Sequence, residues 1–260
     1  MTATLSLPGV EVEQLALLPE IPRVLPEPER PGDNDGGLRP LYYCLRTALS
    51  YDDLNCANQY AGPLGLRRLH NLMRYVDAVR AAGGPSALLV GEAAGYRGCA
   101  VTGIPFTSRA VLQRALGRWS LFGPGFDASD DLGAPSGETS ATVVWRTLVE
   151  WFDRPPLLWN VFPFHPHVAG DPQTNRAPAT SEIDSGQLFL FFLWEAFGSL
   201  PAIAVGKTAE RVLTARPWAY TSVTAVRHPA HGGARRCAHQ LREWAAGTGR
   251  IRPAERGILR

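Results

Sequence analysis

The sequence predicts an α/β fold, a three-layer αβα sandwich with a central, mainly parallel four-stranded sheet. Three observations lead there. Four short apolar runs, 86–91, 156–162, 201–205 and 221–226, have the length and near-continuous apolarity of strands buried on both faces. Helical stretches separate each run from the next, so strand and helix alternate, and that alternation demands parallel pairing with crossover helices. At 260 residues and 45% hydrophobic composition, the chain carries enough apolar side chains for a full core.

Residues 1–40 are rich in proline, glycine and acids with weak periodicity, and are expected as an extended or disordered arm before a single α/β domain over 41–260. Helices are expected at 41–48 and 66–82. The second carries Leu69, Leu72, Met73, Val76 and Val79 at spacings of three and four, and Gly83-Gly84-Pro85 closes it. The first strand, 86–91, comes directly after. Helices at 108–117 and 142–152 lead to the second strand, a helix at 185–197 to the third, and a helix at 208–214 to the fourth. Residues 123–138, rich in Gly, Pro, Ser and Asp, form a long loop expected near the site as a substrate contact.

Composition excludes several classes. No apolar run approaches the roughly 20 residues that span a bilayer. Residues 5–10 are too short for a signal-peptide core, and Glu11 and Glu13 prevent the run from continuing, so a cytoplasmic protein is expected, with no membrane partner. Cys44, Cys56, Cys99 and Cys237 form no C-x-x-C pair, which disfavours a disulfide framework and a cysteine-rich metal cluster. The net charge of +2 is unevenly divided. Seven acids face only Arg23 and Arg30 over residues 1–38, while eight arginines face only Glu243 and Glu255 over 227–260. A basic end beside a strand-end site suits a phosphodiester substrate.

Every strand end carries polar residues, and in open α/β sheets the ligand crevice lies at those ends. The first leads into the glycine-rich, acid-bearing segment Gly91-Glu92-Ala93-Ala94-Gly95-Tyr96. The second gives Asn160 and then Pro163-Phe164-His165-Pro166-His167. The third gives Gly206-Lys207-Thr208, which is not a P-loop, because the first glycine of that motif would fall at Pro201. The fourth gives Arg227-His228-Pro229-Ala230-His231. His165, His167, His228 and His231, with Glu92, leave open a metal-dependent hydrolase. A DNA-lesion binder without turnover, or one that retains its product, is a further open reading.

Taken in chain order, these segments resemble the uracil-DNA glycosylase superfamily, and most closely its bacterial and archaeal branch that usually holds an iron-sulfur cluster. The resemblance runs from about Leu88 to Pro229. Gly91 to Gly95, with Ala94 in place of a proline, followed by Thr102-Gly103 and Phe106, is similar to the branch's first motif. Asn160 matches the strand-end asparagine, Asn175-Arg176-Ala177-Pro178 with Glu182 the downstream asparagine run, Gly206-Lys207 a helix start found in many members, and His228-Pro229-Ala230 the last motif. The cluster's cysteine spacing is absent, so no cofactor is expected.

The resemblance implies hydrolysis of the N-glycosidic bond of uracil in single- or double-stranded DNA, by base flipping, in a monomer. It assigns stacking on the base to Phe106, reading of its edge to Asn160, and stabilisation of the departing base to His228. The positioning of the attacking water is left between Asn175 and Glu92, because Ala93 stands where another branch has an aspartate. Gly91, Ala93, Gly95, Tyr96 and His231 complete the substrate pocket, and Ser108, Lys207, Arg227, Arg235 and Arg236 are expected to contact DNA. Gly95 occupies the place of a tyrosine that excludes the thymine methyl in selective relatives, which leaves thymine, hypoxanthine and xanthine open as further substrates.

Overall fold

The computed structural model describes residues 36–48, 55–114, 118–127, 129, 137–216 and 219–247. Most of the expected N-terminal arm, the basic residues from 248 onward, and much of the loop 123–138 lie outside the described residues. In chain order the first elements are α1 (Arg39–Thr47), β1 (Cys56–Ala57), α2 (Gly62–Ala81), β2 (Leu88–Ala93), α3 (Cys99–Thr102), α4 (Arg109–Leu112) and α5 (Thr139–Trp151). They are succeeded by β3 (Leu157–Phe162), β4 (His165–Pro166), α6 (Thr180–Phe197), β5 (Leu200–Val205), α7 (Lys207–Thr214), β6 (Tyr220–Val226) and α8 (Ala234–Gly247).

The expected sheet forms, with order β3-β2-β5-β6 and parallel pairing throughout. Its helices flank it, as the three-layer reading requires. The apolar runs explain the middle of the sheet, since Leu89, Val90, Leu158, Trp159, Ile203 and Ala204 are all buried. β6 is an edge strand, and its Thr221 and Ser222 are exposed. From β2 the chain crosses to β3 on one side and then returns to β5 on the other. β2 is thus the topological switch point, the place where an open sheet leaves a crevice beyond its carboxyl ends.

Local chemistry explains the helix bounds. Pro40 and Pro63 sit in the first turns of α1 and α2, where a missing N–H costs nothing. α2 buries Leu69, Leu72, Tyr75, Val76 and Val79 and ends at Gly83 and Gly84, both at positive φ. Glu182 in the first turn of α6 accepts from the Ala179 N–H at 2.6 Å.

Three features differ from expectation. Of the helix expected at 108–117, the described part holds the single turn Arg109–Leu112, with a turn and a bend at 113 and 114, and 115–117 lie outside the described residues. α8, to which no element was assigned, buries Cys237, Leu241, Trp244 and Ala245 as one stripe against α5, with Phe152 stacked on Trp244 at 5.3 Å. β1 and β4 form a two-residue antiparallel pair, Cys56 opposite Pro166 and Ala57 opposite His165, which holds the segment after β3 against the chain before α2. Among the described residues no helix is long and apolar enough to cross a membrane. The four cysteines are buried and form no disulfide with one another; burial pushes the thiols of Cys44 and Cys237 up to about 11 and that of Cys99 up to about 12.

Candidate functional site

A cavity of about 490 Å³ opens at the carboxyl ends of the four sheet strands. That size lies within the range of small-ligand sites. β2 and its continuation contribute Gly91, Glu92, Ala93, Gly95 and Phe106; β3 contributes Asn160; the segment before α6 contributes Asn175. The start of α7 adds Lys207 and Thr208, and the loop after β6 adds Arg227, His228 and His231. The four polar strand ends therefore do share one crevice.

Sheet register sets the floor. Gly91 pairs with Asn160 across β2 and β3, which brings the glycine beside the buried carboxamide. A Cβ on Gly91 would lie 2.6 Å from Phe106 Cζ and 2.7 Å from Asn160 Oδ1, so only glycine lets the ring and the amide approach this strand end together. Phe106 is held at φ 54°, a costly conformation for an aromatic residue. Thr102 supports the turn before it, donating its hydroxyl to Thr107 O at 2.8 Å and accepting from Ile104 N at 3.2 Å.

The segment that carries Asn175 is fixed by its neighbours. Arg176 makes a two-pronged ion pair with the buried Glu182, both contacts at 2.7 Å, and also donates to His167 O and Asn55 O. The Tyr96 N–H donates to Asn175 Oδ1 at 3.0 Å, which fixes the amide orientation and leaves its NH2 group to the site. His165 sits behind this arrangement, with Nδ1 2.8 Å from Ala94 O and Nε2 2.9 Å from Pro172 O. Burial lowers the His165 pKa, and the two carbonyls offset that only in part.

On the opposite side, the Thr208 hydroxyl donates to Glu92 Oε1 at 2.5 Å, joining the end of β2 to the first turn of α7. The Ala230 N–H donates to His228 Nδ1 at 3.1 Å. A neutral His228 therefore carries its proton on Nε2 and can donate from there. Burial pushes its pKa down more strongly than the nearby Glu92 raises it, and Arg227 and His231 push in the same direction as burial. The ring is a neutral donor at physiological pH. His231 adopts a left-handed φ of 52° and is exposed at the rim, as are Lys207 and Arg227.

Several expected residues fall elsewhere. Ser108, expected to face DNA, is fully buried and caps α4, its hydroxyl accepting from Val111 N at 3.4 Å rather than facing solvent. Tyr96 is not among the lining residues and bears on the site through its N–H to Asn175; its side chain lies under Arg97, whose guanidinium stands 5.1 Å from the ring. Arg235 and Arg236 are exposed on the first turn of α8, outside the cavity lining. The four histidines do not assemble with Glu92 into a metal site: His165 and His167 bond backbone carbonyls, and among the described residues no group of three or more His, Cys, Asp or Glu side chains is placed to hold an ion.

Glu138 and Ser140 line the cavity without having been singled out in the sequence, and Glu138 is the titratable one. Glu138, just before α5, reaches across to Gly95 and Gly98, and its Oε1 lies 3.6 Å from the place a Gly95 Cβ would take. Burial raises its pKa, while Arg97 lowers it in part. The available signal was a lone acid at the end of a polar loop before an amphipathic helix, which equally describes an ordinary helix start.

A family model described as "Uracil DNA glycosylase superfamily" matches residues 81–245. Among solved structures, the crystal structure of wild-type Pedobacter heparinus SMUG2 is similar at 16% identity and a TM-score of 0.50, over 69% of this chain and 83% of that one. That likeness concerns the fold. Curated proteins give no significant match. The family match covers more than half the chain and includes all four strand ends of the cavity, so the chain belongs to the uracil DNA glycosylase superfamily, a membership that implies glycosylase-type chemistry on DNA.

Proposed function

We propose that the protein excises uracil from DNA by hydrolysing its N-glycosidic bond, leaving an abasic site. The observation that carries this reading is the convergence, in one cavity, of an aromatic ring, a buried carboxamide and a histidine whose only free proton points from Nε2. A base inside the duplex stack is out of reach, so the nucleotide is flipped into the cavity at a cost of a few kcal/mol, and less from single strands.

Phe106 stacks on the flipped base, an interaction worth roughly 1–3 kcal/mol and indifferent to base identity. Asn160 reads the edge, since its carboxamide can donate to O4 and accept from N3–H. Asn175 orients the attacking water toward C1′. As the C1′–N1 bond breaks, the electron pair leaves with the base, and His228 donates to O2, where the negative charge gathers. An aimed donor of this kind is worth roughly 10²- to 10³-fold in rate. Uracil departs as a stabilised anion, so the reaction as drawn needs no cofactor.

Lys207 and Arg227 at the cavity rim, with Arg235 and Arg236 on the first turn of α8, provide cations for phosphates, and the loop 230–233 offers His231 in place of a bulky apolar wedge. We infer from these a preference for single-stranded substrate. We read the motifs as most like those of the iron-sulfur branch, from which the cysteines depart. The test is single-turnover incubation with labelled DNA carrying one uracil, developed with alkali, with EDTA in a parallel reaction. Uracil-dependent cleavage that needs alkali and survives EDTA supports the reading. DNA binding without cleavage of any deaminated base would instead identify a lesion-binding protein.

A further inference from the structure

Hydrolysis requires a group that takes the proton of the attacking water, and the residues that orient the water do not supply one. Asn175 is a carboxamide with no basic atom, and its Oδ1 already accepts from Tyr96 N. Glu92 has one oxygen occupied by the Thr208 hydroxyl and stands on the His228 side of the cavity.

Glu138 stands on the other side. A single point, the place of a Gly95 Cβ, lies 3.6 Å from Glu138 Oε1, 3.7 Å from Asn175 Oδ1 and 3.9 Å from Asn175 Nδ2. The carboxylate and the carboxamide thus flank one space that glycine leaves open, and that space belongs to the cavity. The second oxygen of Glu138 fills the room a side chain on Gly98 would need. Among the described residues no side chain makes a hydrogen bond or ion pair with the Glu138 carboxylate.

Resting on the glycosylase reading above, we propose that Glu138 is a catalytic residue, the general base for the water that Asn175 orients. The water oxygen bonds to C1′, its proton passes to a Glu138 carboxylate oxygen, and the C1′–N1 pair leaves with the base. Between turnovers the proton returns to solvent through the open cavity. The groups facing Glu138 are Arg97 and the buried Cys99 thiol from the segment after β2, Arg176 from the segment before α6, and Glu92, Lys207 and His228 across the cavity. Arg97 favours the carboxylate, and burial favours the acid more strongly.

The experiment compares single-turnover excision by wild type, Glu138→Gln and Glu138→Asp on single-stranded DNA with one uracil, across the acid range, with DNA affinity and thermal midpoint measured alongside. Glu138→Gln is expected to bind DNA and melt like wild type while losing roughly 10²-fold or more in rate, with partial recovery in Glu138→Asp. The ratio of wild-type to Glu138→Gln rates isolates this one titration, because every other group is common to both. It is expected to climb with pH and level off above a pKa higher than an ordinary glutamate's. A wild type that excises uracil alongside an equally fast Glu138→Gln, or a ratio constant with pH, overturns the role of Glu138 alone. A wild type that binds DNA but releases no base from uracil, hypoxanthine or xanthine substrates overturns the glycosylase reading, and this inference with it.

Discussion

The Thr208 hydroxyl is a 2.5 Å donor to Glu92 Oε1, and this bond ties the central strand of the sheet to the helix that comes after its neighbour. It also holds a carboxylate beside His228, where its charge opposes the effect of burial on the ring. Thr208→Val keeps the shape and removes the donor. A hydrogen bond to a charged, half-buried group is worth about 1–2 kcal/mol, so the thermal midpoint should fall and excision should slow by roughly tenfold as Glu92 loses its position. A variant unchanged in both melting and single-turnover rate would show that the tie serves neither stability nor catalysis.

Gly91→Ala tests the floor of the pocket. The new methyl would stand 2.6 Å from Phe106 Cζ and 2.7 Å from Asn160 Oδ1, so ring and amide must both shift. Overpacking of this kind costs about 1–3 kcal/mol, and displacement of reacting groups by about 1 Å can cost roughly 10²-fold in rate. Excision is expected to fall well beyond the change in stability, measured by comparing single-turnover rates below the melting range. Full activity would show that neither residue handles the base.

Asn160→Asp replaces a donor and acceptor with an acceptor alone. Loss of the donor to O4 should weaken uracil excision by roughly 10- to 10²-fold, and a carboxylate can accept from the N4 amino group of cytosine. Oligonucleotides carrying uracil or unpaired cytosine, assayed side by side, reveal the change. Undiminished uracil activity would assign base reading to another residue.

Stability should depend on pH through His165. Burial sets its folded pKa below the ordinary 6.5, so the unfolded chain binds the extra proton first as pH falls. The contribution is fully present above 6.5 and is lost as pH falls toward the lowered folded value, and His228 acts with the same sign. Glu138 acts oppositely, since its raised pKa makes the folded state the better proton binder at lower pH. Comparing thermal midpoints at about pH 7.5 and about pH 5.5 should therefore show a smaller acid loss in His165→Gln than in wild type. An equal loss in the two proteins would contradict this linkage.

The sheet was legible because its strands are nearly continuous apolar runs, and the site because each run ends in a distinctive polar residue. Asn160 comes directly after Leu157-Leu158-Trp159 in the second half of β3, and His228 lies two residues past Val226, so the motifs fall at or near the carboxyl ends of their strands. Glu138 was not legible. It reaches the cavity through the placement of α5 across a loop with no periodicity, a tertiary fact no local pattern encodes. The Ser108 hydroxyl could serve a phosphate or a helix end equally well; burial decided for the cap. α8 was missed although Cys237, Leu241, Trp244 and Ala245 repeat at helical spacing, because its arginines read as a binding surface. The pair β1 and β4 is too short for any alternation to show.

The decisive measurement is the single-turnover release of uracil from labelled single-stranded and duplex DNA by wild type and His228→Ala, with alkali revealing abasic sites. Wild type is expected to give uracil-dependent cleavage, faster on single strands, and His228→Ala a rate lower by roughly 10²-fold or more with DNA binding retained. Uracil release by His228→Ala at the wild-type rate, or no release by wild type from either substrate, would contradict the proposed excision chemistry.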